Sequence, residues 1–163
     1  MIARVDDAVS FRPARGADLD WLVDLRTRTM GAYLEASGEA LSRAEQQARV
    51  EQDFDCIRIV AFESEAIGMV KVVRRSGEWR LVQIQLDAAH QCRGIGGSIV
   101  AALLAEARAA GAAVTLSVLK VNPAKRLYDR LGFRVVAETD RSYDMRIEAA
   151  APLDALVGPR DAT

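Results

Sequence analysis

Between Gln91 and Ser98 the chain reads QCRGIGGS, with three glycines in four residues, and an apolar, alanine-rich run of helical spacing follows at once. Glycine lets the backbone come close to a ligand. The first N–H groups of a helix have no intrahelical acceptor and sit at the positive end of its dipole. The chemistry on offer is therefore the binding of a phosphate or pyrophosphate by main-chain N–H groups of Arg93, Gly94, Ile95, Gly96, Gly97 and Ser98. Two known cradles do not fit. A dinucleotide-binding G-x-G-x-x-G needs glycine where Ile99 stands, and a P-loop needs lysine where Gly97 precedes Ser98. A tight strand-to-helix corner that binds nothing is the plain alternative on this stretch alone.

A second stretch, VNPAKRLYDRLGF from Val121 to Phe133, adds an asparagine, two cations and a tyrosine at one end of a helical segment. Together with QCRGIG (Gln91 to Gly96) it resembles the GNAT superfamily of N-acetyltransferases. That family carries Q/R-x-x-G-x-G/A and, later, N-x-x-A-x-x-x-Y-x-x-x-G-F. Gln91, Gly94 and Gly96 match the first motif, and Asn122, Tyr128, Gly132 and Phe133 the second. Ala124 stands one place early, as in the common NPA variant.

The resemblance implies an acyl-CoA N-acyltransferase fold, a central splayed mixed α/β sheet flanked by helices. It also implies acetyl-CoA as the acyl source and a direct transfer of acetyl to a primary amine. The strand before the bend, Leu81 to Asp87, would splay from its parallel neighbour and admit the pantetheine arm. Leu86 matches the residue whose backbone meets pantetheine and polarises the thioester carbonyl, an oxyanion-type role; it can equally be plain core. Gln91 and the bend from Arg93 to Ser98 would bind the cofactor. Asn122 is either a helix cap or a pantetheine contact, and Lys125 and Arg126 either reach phosphates or face water. Tyr128 either packs its ring on the sheet or donates a proton to the departing thiolate. Gln83 and Gln85 are amides where many relatives offer a base. Asp87, Glu35 and Asp144 are then candidates, or a water chain carries the proton. His90, the only histidine, is expected at the surface.

The elements that must position these groups are legible from period and punctuation. Val9 to Arg15 alternates as a strand, and a helix runs from Ala17 or Asp18 to about Ala36, where Gly38 ends it. Ser42, followed by Glu45, fits a capping box for a polar surface helix reaching Gln52. CIRIVAFES, AIGMVKVVRR and EWRLVQIQLD then read as three strands joined by hairpin turns. A helix from Ile95 to Ala110 and a strand from Val114 to Leu119 complete a βαβ crossover, which sets Leu81 to Leu86 parallel to that strand. Asn122-Pro123 opens the last helix, Gly132 closes it, and FRVVAETD and SYDMRIEA form a final hairpin.

The chain has 163 residues, 50% of them hydrophobic and 28% charged, with a net charge of −1. One domain over residues 1–149 with an irregular tail over 150–163 is expected. The balanced charge gives no footprint for nucleic acid or for an anionic membrane. No secretory leader or membrane span is read, so a cytoplasmic protein is expected. Two cysteines and one histidine offer no metal site, and no G-x-S-x-G or H-E-x-x-H occurs. A homodimer is compatible with the family. The acceptor, a small molecule or a peptide, would be set by Thr29 to Gln47, where Tyr33, Glu35, Glu39 and Glu45 can meet a cationic amine. A non-catalytic acyl-CoA-binding module is the rival reading.

Overall fold

Alternating apolar residues from Ile57 onward build three consecutive antiparallel strands, and everything else packs around them. The computed structural model describes residues 7–149. The tail expected to be irregular lies outside the described residues. Strands β1 (Val9–Pro13), β2 (Ile57–Phe62), β3 (Glu65–Arg75), β4 (Glu78–Leu86), β5 (Ala113–Leu119), β6 (Arg134–Glu138) and β7 (Ser142–Ile147) form one sheet. Its order is β1-β2-β3-β4-β5-β7-β6, and only β4 and β5 run parallel. Helices α1 (Leu19–Ala36), α2 (Arg43–Glu51), α3 (Ile95–Ala109) and α4 (Lys125–Arg130) complete it. Among the described residues no helix is long and apolar enough to cross a membrane.

Strand alternation divides the core in two. Val70 and Val72 of β3 join Ile99, Val100 and Leu103 of α3, with Tyr128 and Phe133, on one face. Met69, next to Val70 along β3, joins Leu22, Val23 and Leu25 of α1 and Val50 of α2 on the other. Helix α2 begins as its sequence implies. The Ser42 hydroxyl accepts from the Glu45 N–H at 3.2 Å, and the Glu45 carboxylate accepts from the Ser42 N–H at 2.7 Å. It is not wholly a surface helix, because Val50 and Gln46 are buried.

Lys71 explains how α2 ends. This residue of β3 is among the most completely buried side chains, and its Nζ donates to the carbonyls of Arg49, Val50 and Gln52. These are last-turn groups without intrahelical partners, at the negative end of the helix. Burial, with Arg26 nearby, pulls the ammonium down to about 8, opposed by Asp53 and Cys56, so at neutral pH it remains charged. Lys71→Met should cost about 2 kcal/mol in urea unfolding, since it orphans the Val50 and Gln52 carbonyls and leaves that of Arg49 only a 3.4 Å contact from Gln83 Nε2, while relieving a buried charge. The folded value lies below the ordinary 10.5, so folding expels a proton in that window. The wild-type advantage should therefore widen as pH rises from about 8 towards 10.5, and an equally stable variant would refute the capping role.

The central parallel pair departs from the simple crossover. Glu78 to Leu81 pair with Ala113 to Leu116, and there the pairing stops. Across the other edge of β4, Lys71 pairs with Gln83 while Val72 pairs with Leu81, so Val82 is an extra residue. A bulge bends its strand and strengthens the local twist. Here it sits where β4 leaves β5, and a gap opens between residues 82–86 of β4 and residues 117–119 of β5.

Candidate active site

Leu86 ends β4 at the mouth of this gap. The Asp87 N–H donates to the Ile67 carbonyl at 2.7 Å. By antiparallel alternation, the N–H and C=O of Leu86 then point away from β3, towards the gap. Gln91 Nε2 donates to the Leu86 carbonyl at 2.8 Å, which ties the glycine bend to the strand and leaves the Leu86 N–H facing the opening. Gln91 thus has an internal partner that its motif position alone does not reveal.

The bend turns through left-handed φ angles of +60° at Cys92 and +80° at Gly94. Glycine is the natural occupant of such a position, and Gly94 also has open space around it. The first helical bond of α3 is Ser98 N–H to Gly94 C=O, at 3.0 Å. Upstream of it, the N–H groups of Cys92, Arg93, Gly94, Ile95, Gly96 and Gly97 have no acceptor among the described residues. Ser98 differs from the expectation, because its N–H and its hydroxyl, at 2.9 Å, both serve the Gly94 carbonyl. Arg93 and Arg126 are exposed and without an ion-pair partner among the described residues. Lys125 pairs with Asp129 at 2.8 Å and lies 5.1 Å from the Tyr143 ring centroid.

Asn122 accepts from the Ala124 N–H through Oδ1 at 2.9 Å, two residues ahead of regular α4. It is a cap, and it also lines the cavity described below. Tyr128 is buried, with its ring edge-on to Phe133 at 5.8 Å. Its hydroxyl has no protein partner among the described residues, yet it is not sealed off, and the residue lines the same cavity. Burial pushes the phenol up to about 12. His90 is half-buried against Phe62 with its Nδ1 buried and unpartnered, rather than a free surface residue.

A cavity of about 760 Å³ reaches the gap from the α1/α2 face. It runs from Arg26, Met30 and Leu34 of α1, past residues 81–85 of β4 and 116–119 of β5, to Asn122 and Tyr128. The amide row approaches from the opposite, α3 face, where Ile95 packs with Leu86. None of the three carboxylates named as a possible base lines the cavity. Asp87 pairs with Arg28, Asp144 accepts from the Ser117 hydroxyl, and Glu35 is exposed. Of the acidic residues expected to meet an amine, Glu39 lines the cavity but pairs with Arg49, and Glu45 is committed to the α2 cap.

The sequence model of the acetyltransferase (GNAT) domain matches residues 54–135, half of the chain, and spans both the bend and Tyr128. The chain belongs to the GNAT acetyltransferase family. Its fold agrees with solved GNAT structures. The PaiA N-acetyltransferase of Thermoplasma acidophilum, in complex with coenzyme A, superposes with a TM-score of 0.67 at 13% identity, over 86% of this chain and 98% of that one. YncA of Salmonella typhimurium, with its cofactor acetyl-CoA, gives 0.59 at 21% identity over 90% and 98%. Naa50 of Arabidopsis thaliana, in complex with a bisubstrate analogue, gives 0.64 at 14% identity over 86% and 99%. Among curated proteins no sequence matches.

Three residues of this GNAT domain escape a motif-based reading. Gly68, opposite Leu86, has no room for a side chain: a Cβ there would lie 2.3 Å from the Gln85 carbonyl oxygen. A glycine inside the apolar run AIGMVKVV is a signal of close backbone approach. Lys71, three residues on, is the only charge in the middle of that run. Arg26 stands at helical spacing between Leu22 and Met30, on a stripe where a buried cation is out of place.

Proposed function

We propose that this GNAT domain moves the acetyl group of acetyl-CoA to a primary amine by direct attack, with the acyl donor entering from the α3 face and the amine from the α1/α2 cavity. The reading is carried by the six consecutive main-chain N–H groups, Cys92 to Gly97, that lack an acceptor beside a gap in the sheet. They fit a diphosphate, because aligned N–H dipoles and a helix N-terminus both favour anionic oxygen. Acetyl-CoA supplies a thioester activated for acyl transfer. The Leu86 N–H is oriented to donate to the acyl oxygen, where negative charge builds up as the amine attacks. Gln91 holds that N–H in register by fixing the carbonyl of the same residue. Asn122 shapes the turn into α4, and Tyr128 offers its proton to the leaving sulfur. In this reading the catalytic domain spans residues 1–149, and the attacking amine loses its proton to water in the open cavity.

Two measurements test the reading together. Saturating coenzyme A should raise Tm by about 5 °C, as ligand binding at about 100 times Kd implies for a chain of this size. Acetyl-CoA should release free thiol in proportion to added amine. A flat melting curve together with amine-independent thiol release would exclude the proposal.

A further inference from the structure

Arg26 lies in the interior of α1, 5% exposed, with no carboxylate in contact. Its Nε donates to Gln46 Oε1 at 2.7 Å, which links α1 to α2. Its Nη1 and Nη2 have no hydrogen-bond or ion-pair partner among the described residues, and neither is sealed from solvent. The residue lines the cavity, so this guanidinium edge is aimed into it. Burying a cation without a counter-charge is costly.

The surroundings do not supply the missing anion. The acid felt most at Arg26 is Glu39, which is held by Arg49 at 2.9 Å. Arg49 itself acts on Arg26 as a like charge. Lys71, beneath, is another cation. Gln83 and Gln85, on the adjoining stretch of β4, are neutral. Six cationic side chains line the cavity against three carboxylates, Glu39, Asp53 and Glu78, and Glu78 is held by Arg146 at 2.7 Å. The lining therefore repels a simple polyamine.

Building on the acetyltransferase reading, we infer that the acceptor is an amine that also carries an oxyanion, a carboxylate or a phosphate, and that Arg26 binds this group. The planar fork of Nη1 and Nη2 matches either oxyanion with two parallel hydrogen bonds. Anchored there, the acceptor's other end extends along the cavity towards the gap between Leu86 and Tyr128. Gln83 and Leu86 are three residues apart on β4, about 10 Å at strand rise, which gives the scale of that extension. Acceptors with amine and acid well separated should outrank glycine.

The test pairs each acid with a neutral counterpart. Glycine, β-alanine, 4-aminobutyrate and 6-aminohexanoate are assayed against their carboxamides, and O-phosphoethanolamine against ethanolamine, by thiol release from acetyl-CoA. In the wild type the best acid should exceed its neutral partner by about 10- to 100-fold in kcat/KM, the worth of a charge-assisted bidentate contact. Arg26→Gln should bring that ratio close to one, and Arg26→Lys should restore part of it. A role confined to the Gln46 link would lower Tm and leave the ratio standing, which would overturn the assignment. Thermal shift in the presence of coenzyme A provides a readout without turnover, in which acids should stabilise the wild type more than their amides. Amide and acid behaving alike while thiol is released would sink this inference and leave the acetyltransferase reading intact. Absence of both the coenzyme A shift and amine-dependent thiol release would remove the two together.

Discussion

Tyr128→Phe is expected to lower kcat about 100-fold, in the range of a lost general acid, while acetyl-CoA affinity changes by less than about twofold. The substitution keeps the ring that packs against Phe133 and deletes only a hydroxyl with no protein partner. Stability should therefore move by less than about 0.5 kcal/mol, because no internal hydrogen bond is lost. The phenol is pushed up to about 12 by burial, so it holds its proton across the working range. Its folded value lies above the ordinary 10.0, so its contribution to stability is complete below pH 10 and fades as pH rises through 12. Between pH 6 and pH 9, on the order of any practical assay range, no step in the profile should belong to Tyr128. What should appear is a rise of about tenfold per pH unit below the acceptor's own pKa, since only the neutral amine attacks. Stopped-flow turnover with acetyl-CoA titrations of both proteins separates the effects. A variant with unaltered kcat, or one that loses only acetyl-CoA affinity, would take the proton-donor role away from Tyr128.

The elements of this fold are largely legible in the sequence, because period and punctuation coincide. The strands from Ile57 to Leu86 alternate, α3 follows a glycine bend, and Ser42 and Glu45 cap α2 as their spacing implies. The glycine bend stands out because its chemistry is local, since a row of main-chain amides needs only glycine and a helix start; Tyr128 stands out only through its place in the second motif of the family that the chain resembles. What stays hidden depends on partners distant in sequence. Lys71 reads as one charge in a strand, and only the end of α2, some 20 residues away, makes it a buried cap. Arg26 stands on the apolar stripe of α1, but only Gln46 of α2, 20 residues away, shows it to be buried and held there. The bulge at Val82 leaves no local mark, since WRLVQIQL alternates well enough to pass for an unbroken strand. The same bulge falls where the pairing of β4 with β5 stops, so the gap goes with a register detail that composition does not carry.

Gly68→Ala probes the link between that sheet geometry and catalysis. Gly68 faces Leu86 across β3 and β4. A methyl group built on it meets the Gln85 carbonyl oxygen at 2.3 Å, Leu86 Cδ2 at 2.6 Å and Leu86 Cα at 3.2 Å. Rotating the Leu86 side chain relieves only one of these contacts. The other two belong to the β4 backbone, so the strand itself must move by about 1 Å, the scale at which misplaced groups lose on the order of 100-fold in rate. The displaced segment carries the Leu86 N–H, and the Gln91 contact to its carbonyl moves with it. The expected result is a loss of about 2 kcal/mol in stability, typical of overpacking, with a fall in kcat of at least about tenfold. Gly31→Ala is the matched control. Gly31 lies inside α1 with nothing within 4 Å of the added carbon, so helix propensity alone should make that variant more stable by about 0.5–1 kcal/mol. Urea unfolding and steady-state kinetics on the two variants separate a general cost of alanine from the specific approach of β3 to β4. A Gly68→Ala protein as stable and as active as the wild type would mean that Leu86 is not held in place by its contact with β3, and the orientation of its N–H towards the gap would lose its structural basis.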